Sequence, residues 1–276
     1  MEHIREALLK ADPSLGAVKK EGAARSPAAI APEHKNEAAS VPLAQPAWKP
    51  RQVELESHHL EANRIVSAAM DDPAHVSFNI LRTRVQKLQR DRNWKNFVVT
   101  SPTQGCGKTM VAVNLAFSMA RNPNCRTVLV DLDLRKPSVA KTLGIASSGS
   151  IGQFLQGEGR AESCFVQINP NLIVGLNVDR TRQSSELVQS SRMGELLRFV
   201  VDSFAPDVVL YDLPPMRSSD DALAFLPKID AALLVVASGT TTVSELDECE
   251  HQLSHLDKLL GIVINKSARD TRDYYY

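Results

Sequence analysis

Aromatic side chains are scarce in this chain: eight Phe, four Tyr and two Trp among 276 residues, with none before Trp48. The first 50 residues carry instead 12 alanines and 6 of the 15 prolines. A segment with so little large apolar surface cannot offset the entropy of ordering itself, so residues 1–57 are expected to be mostly disordered. Within them Ile4, Leu8 and Ala11 recur at helical spacing, which predicts a short amphipathic helix formed against a partner. Long apolar runs are also missing. Ala231 to Ala237 is among the longest, far short of the roughly 18 residues a membrane span needs. No compact apolar block follows a basic N-terminus, so no secretory signal is read and a cytoplasmic location is expected. The four cysteines, Cys106, Cys125, Cys164 and Cys249, form no C-x-x-C pair, which points to free thiols. Neither charge is in excess, 32 basic against 32 acidic residues, and this argues against nucleic-acid binding by bulk charge.

What is present is a long alternating core. Order is expected from about Ser57, with a helix over His59–Met70 and a second one capped by Asp72 with Pro73 at its first position. Phe78, Leu81, Val85 and Leu88 give that second helix an apolar stripe, beside which Arg82, Arg84, Lys87 and Arg90 read as a solvated face. From Asn96 onward, short strands, apolar on both faces, are predicted at 97–101, 127–132, 172–176, 207–213, 231–237 and 260–265. Helices are predicted between them at 110–121, 191–203 and 244–259. Such alternation predicts an α/β domain over 58–266, a mostly parallel sheet with helices on both sides, followed by a flexible tail, 267–276.

The first core strand runs into Ser-Pro-Thr-Gln-Gly-Cys-Gly-Lys-Thr, residues 101–109, and then a helix. A glycine-bearing loop at a helix N-terminus presents backbone N–H groups and a favourable dipole to phosphate. Gly105, Cys106 and Gly107 supply that backbone. Lys108 is expected on the terminal phosphates, and Thr109 on Mg²⁺. Pro102 stands where the general pattern has glycine. Two further strands end in acids, Asp131 and Asp133 after the second and Asp212 in Tyr-Asp-Leu-Pro-Pro. Ligands of open α/β sheets bind at the carboxyl ends of strands, so these acids are expected beside the phosphate loop. Mg²⁺ takes carboxylate, hydroxyl and phosphate oxygens, and another carboxylate can accept the proton of an attacking hydroxyl.

GCGKT, VLVDLDLRKP, VVLYDLPP and the C-terminal tyrosine cluster together resemble the bacterial tyrosine kinases of exopolysaccharide synthesis, most like the exosortase-associated autokinases. ELVQSSRMGELL, SSDDALAFLPKIDAALLVVASGTTT and LGIVINK extend the resemblance over about residues 75–276. It implies a P-loop NTPase fold, a three-layer α/β/α sandwich, and a kinase using ATP and Mg²⁺. Position by position, it makes Lys108 and Thr109 Walker A, Asp131 and Asp133 Walker A′, and Asp212 Walker B. The metal would fall to Thr109, Asp133 and Asp212, and Asn265 falls where the wider family contacts adenine. It also implies self-association and, for a chain without a span, a separate membrane activator of the polysaccharide chain-length type.

The partitioning and cell-division-site ATPases of the same superfamily carry a signature lysine where this chain has Thr103, and a glycine where it has Gln104. The kinases usually carry E-x-x-R-x-x-R on the helix before the core strand, used for ring packing. Val76, Asn79 and Arg82 occupy that register, so only the last arginine remains. Cys106 replaces the family's common glutamate. A thiol beside a helix N-terminus is open to a lowered pKa, but a side chain tolerated because the backbone does the work is favoured. Tyr274, Tyr275 and Tyr276 are the expected phosphoacceptors, at the end of a ten-residue tail that reaches roughly 33–36 Å when extended. His251 and His255 stand four apart on a predicted helix near Cys249 and Glu250. No convincing fourth ligand accompanies them, and a plain helix face is favoured over a metal site. Arg217 is left open. A positioning ATPase without a protein acceptor and a non-catalytic nucleotide-dependent scaffold are the alternative readings.

Overall fold

The computed structural model describes residues 49–267 except 70, 71, 147 and 148. The expected N-terminal helix around Ile4, Leu8 and Ala11, most of the segment read as disordered, and the tyrosine cluster lie outside the described residues. In chain order the elements are β1 (Arg51–Gln52), α1 (Ser57–Ala62), α2 (His75–Arg92), β2 (Asn96–Thr100) and α3 (Lys108–Ala120). Next come β3 (Thr127–Asp131), α4 (Val139–Leu143), α5 (Ile151–Leu155), β4 (Phe165–Asn169) and β5 (Leu172–Gly175). The last are α6 (Ser184–Gln189), α7 (Ser191–Phe204), β6 (Val208–Asp212), α8 (Asp221–Phe225), β7 (Ala231–Ala237), α9 (Val243–His255) and β8 (Leu259–Asn265).

The strands form one sheet in the order β1-β4-β5-β3-β6-β2-β7-β8. From β5 to β8 every neighbouring pair is parallel; β4 lies antiparallel to β5, and β1 joins β4 in parallel. The two-residue period of a strand sorts its side chains onto opposite faces. Phe97, Val99, Leu129, Leu210 and Leu233 enter one buried cluster with residues of α3 and α4. Val98, Val128, Val130, Val209 and Leu234 enter another with α5, α7, α8 and α9. Both faces are therefore covered, and the expected α/β/α layering holds. Among the described residues no helix is long and apolar enough to cross a membrane.

Three local expectations change. Order does not wait for residue 57: Arg51–Gln52 pairs with Val166–Gln167, and Val53 and Leu55 pack on the core. Composition does not mark the strand pair β1 and β4, because its short runs carry Gln and Asn. The helix expected over His59–Met70 ends at Ala62, since the buried Asn114 amide of α3 takes the backbone instead. Its Nδ2 donates to the Arg64 carbonyl at 2.9 Å and its Oδ1 accepts from the Ser67 N–H at 2.9 Å. Asp72 and Pro73 form a turn ahead of α2, with Asp72 Oδ1 accepting from the Ala74 N–H at 2.8 Å. Within α2, Arg82 donates to the Ser118 carbonyl at 2.9 Å, and the Ser118 hydroxyl donates to Asn79 Oδ1 at 3.0 Å. The one arginine remaining from the ring register is thus bonded within its own subunit, to α3.

Candidate active site

Strand register brings the acids together. β3, β6 and β2 are consecutive in the sheet, Asp131 lies opposite Asp212, and Asp212 lies opposite Val99, near the end of β2. The loop that leaves β2 therefore starts beside Asp212. Its turn needs two left-handed residues, Gly105 at φ 80° and Gly107 at φ 89°, and Gly107 is the N-cap of α3. Glycine adopts that conformation without steric cost.

Lys108 is the first residue of α3 and is 9% exposed. Its Nζ lies 2.8 Å from Asp133 Oδ2 and 3.3 Å from Asp212 Oδ1. Burial alone would lower the ammonium pKa, but Asp212 and then Asp133 outweigh it and raise it well above the ordinary lysine value. The Thr109 hydroxyl donates to Asp212 Oδ2 and sits 2.9 Å from Ser138 Oγ. Burial raises the Asp212 carboxyl above the usual carboxylate range, against the pull of Lys108 and Thr109.

Asp131 is fully buried and differently employed. Its Oδ2 accepts the N–H groups of Ser138 at 3.0 Å and Val139 at 2.9 Å, and its Oδ1 accepts from Asp133 N–H at 3.2 Å. It braces the turn that carries Asp133 into the site. Burial, then the neighbouring Asp212, push its carboxyl well above the usual range. Asp133 and Asp212 are the carboxylates that face Lys108.

Asn265, at the end of β8, reaches across to the loop and donates to the Cys106 carbonyl at 2.8 Å. Cys106 is 1% exposed, with Sγ 3.5 Å from Thr241 Oγ1 and 3.7 Å from Thr103 Oγ1. Burial pushes this thiol up, but hydrogen bonds from Thr241 and Thr103 outweigh it and its pKa falls below the usual thiol value. Because the side chain fills a small apolar-and-hydroxyl niche while the backbone faces the loop, Cys106→Ala is expected to leave nucleotide affinity within about threefold. Titration with a fluorescent ADP checks this.

Sequence reasoning missed Ser138, Thr241 and the links made by Arg135 and Arg217. Arg135 pairs with the buried Asp221 at 3.0 Å. Only Thr241 had a visible signal, the Ser-Gly-Thr-Thr-Thr turn after an apolar strand. Cys249 is buried in the core while His251 and His255 are exposed with their rings stacked 6.5 Å apart, so the thiol does not join the two imidazoles. Among the described residues no three His, Cys, Asp or Glu side chains are placed to hold a metal by themselves. The donor set Thr109, Asp133 and Asp212 is all oxygen and suits a hard ion such as Mg²⁺, which completes its shell with phosphate and water oxygens.

Residues 97–275 match the family described as the CobQ/CobB/MinD/ParA nucleotide binding domain. The tyrosine-protein kinase CpsD of Streptococcus pneumoniae is 31% identical over 199 residues, which cover 70% of this chain and 84% of that protein. The EpsB protein of Ralstonia nicotianae is 29% identical over 230 residues, covering 81% of this chain; the chain spans 30% of that relative's length. The kinase domain of the Escherichia coli tyrosine kinase ETK superposes with a TM-score of 0.66 at 22% identity, over 77% of this chain and 84% of that one, a likeness of fold.

Proposed function

The chain belongs to the CobQ/CobB/MinD/ParA nucleotide-binding family and, within it, to the bacterial tyrosine-protein kinases, and from that membership we propose that it transfers the γ-phosphoryl group of ATP to tyrosines of its own C-terminal cluster. The observation that carries the reading is the convergence of Lys108, Thr109, Asp133 and Asp212 at the N-terminus of α3. In this proposal the N–H groups of Gly105, Cys106 and Gly107 and the helix dipole bind phosphate, and Lys108 bridges the terminal phosphates. Asn265 lies against the base. Thr109, Asp133 and Asp212 would hold Mg²⁺, which when bound would set positive charge against the negative charge of the phosphates. The phenolic oxygen of Tyr274, Tyr275 or Tyr276 attacks phosphorus, the bond to the ADP oxygen breaks, and an acid of the Asp131–Asp133 turn takes the phenolic proton.

We place the kinase domain at residues 51–266, which takes in the edge strand β1, and the acceptors on the tail 267–276, presented between self-associated subunits. By the same reading the protein is cytoplasmic, serves exopolysaccharide synthesis or export, and works at the inner membrane through a membrane activator. The exosortase-associated subgroup is part of this proposal. Intact mass before and after incubation with MgATP tests it. One to three phosphoryl additions are expected in the parent and none when Tyr274, Tyr275 and Tyr276 are all phenylalanine. Phosphate release without phosphotyrosine would replace the kinase by a positioning ATPase. Normal partner capture by a nucleotide-binding protein that neither transfers nor hydrolyses would replace it by a scaffold.

A further inference from the structure

The loop after β6 is fastened to the phosphate loop through its backbone. Thr100 donates its hydroxyl to the Pro214 carbonyl at 2.8 Å, the Met216 N–H donates to the Ser101 carbonyl at 2.8 Å, and the Arg217 N–H donates to the Pro102 carbonyl at 3.2 Å. The Arg217 side chain points the other way, to the first turns of α9. Its Nη1 donates to Glu245 Oε1 at 2.8 Å, and its Nε lies 2.9 Å from Glu248 Oε2. Glu245 is engaged on its second oxygen too: Oε2 accepts from the Thr242 N–H at 2.9 Å, half of a reciprocal cap with the Thr242 hydroxyl. Immediately before that cap, Thr241 meets Cys106 Sγ at 3.5 Å and accepts the Ala237 N–H at 3.0 Å.

One chain of contacts therefore runs from the start of the phosphate loop, through Arg217 and the α9 cap, and back to the middle of the same loop at Cys106. We infer that Arg217 is a positioning residue for nucleotide binding: its guanidinium closes this circuit and so fixes where the residue 238–242 turn presses on the phosphate loop. The inference rests on the nucleotide-binding reading of this site. An arginine suits this place because its planar guanidinium presents Nη1 and Nε to Glu245 and Glu248 in one fixed fork, a geometry that a flexible ammonium does not hold. Without it, the turn keeps its Ala237 bonds, the Ser238 N–H bond to the Asn265 carbonyl and the Thr242 cap but loses its tie to the loop after β6, and Cys106, 1% exposed under Thr241, becomes more open.

The test reads Cys106 and nucleotide affinity separately. Full-length parent, Arg217→Ala, Arg217→Lys, Glu248→Gln and the surface control Arg198→Ala are labelled with iodoacetamide, and the modified cysteines are mapped by mass. Methylanthraniloyl-ADP with Mg²⁺ is titrated into each. Arg217→Ala should label faster at Cys106 and bind about fivefold more weakly, the size expected for two partly exposed ion pairs. Arg217→Lys and Glu248→Gln should fall between it and the parent, with Arg198→Ala at the parent's values. Cys125 and Cys164 are buried away from α9 and should not change, which separates local opening from unfolding; Cys249 lies on α9 beside Glu248 and is not used as a control. If Arg217→Ala fails to fold, Glu248→Gln carries the same comparison. Unchanged Cys106 labelling, or faster labelling with unchanged affinity, overturns the inference. A parent that binds no nucleotide yet shows the labelling order would instead sink the nucleotide-binding reading and leave the circuit standing.

Discussion

Lys108→Met should lose at least about a thousandfold in tyrosine phosphorylation, and Asp212→Asn should do the same, because phosphoryl transfer depends almost wholly on positioned charge. The two variants reach that loss from opposite sides. Lys108 is the cation that Asp133 and Asp212 share, at 2.8 Å and 3.3 Å, with 11% of its side chain exposed. Its removal leaves buried carboxylates unpaired, a change worth about 3–5 kcal/mol when one partner of a buried pair is lost. Methionine keeps the stem's packing, and the stranded acids can take up protons, so a folded but less heat-resistant protein is expected. Asp212→Asn removes one negative charge and leaves Lys108 paired with Asp133, so its melting temperature should stay closer to the parent's. Anti-phosphotyrosine blotting with MgATP, beside circular dichroism melts, separates the two effects. A folded Lys108→Met protein with near-parent activity would refute the kinase assignment.

The inner sheet was legible because β2, β3, β5, β6 and β7 are short apolar runs buried on both faces, as in Ala231–Ala237, where every residue is buried, and β8, half-buried at the edge, is apolar as well. The Gly-Cys-Gly-Lys-Thr loop was legible from its company, since glycine beside lysine is common by itself but here it joins an apolar strand to a helix while two further apolar strands end in Asp131, Asp133 and Asp212. β1 and β4 were not legible. At a sheet edge, Arg51–Gln52 and Phe165–Asn169 are held by the ladder and by a few apolar contacts, so their composition resembles that of loops. The acids divided in a way that spacing could not foretell. Asp131 and Asp133 stand two apart, yet only Asp133 touches Lys108, because the turn between them points the Asp131 oxygens at the N–H groups of Ser138 and Val139. Arg217 was undecidable for a related reason: its partners Glu245 and Glu248 lie 28 and more residues away on α9, and only the fold brings them near.

The packing of Asn265 on Gly107 yields a second large effect with a built-in control. At φ 89° and ψ 23°, Gly107 occupies backbone space that an L-residue enters only at a cost. A Cβ there would also lie 2.2 Å from Asn265 Nδ2, the atom that donates to the Cys106 carbonyl. Gly107→Ala therefore meets two penalties, a backbone strain of about 1–3 kcal/mol and the displacement of a hydrogen-bonded side chain worth about 1 kcal/mol. For a domain of this size that corresponds to a melting temperature lower by roughly 5–15 °C. Nucleotide affinity should fall as well, since the N–H groups proposed to bind phosphate flank the strained residue. Asn265→Ala alone should cost only the bond to Cys106. Combining the two substitutions removes the clash but not the backbone strain, so the double variant should be more stable than the sum of the single losses predicts, by about 0.5–3 kcal/mol. Urea unfolding of the four proteins measures that coupling directly. Strict additivity would mean that Asn265 does not sit against Gly107 in solution, and the place of β8 at the nucleotide edge would then have to be redrawn.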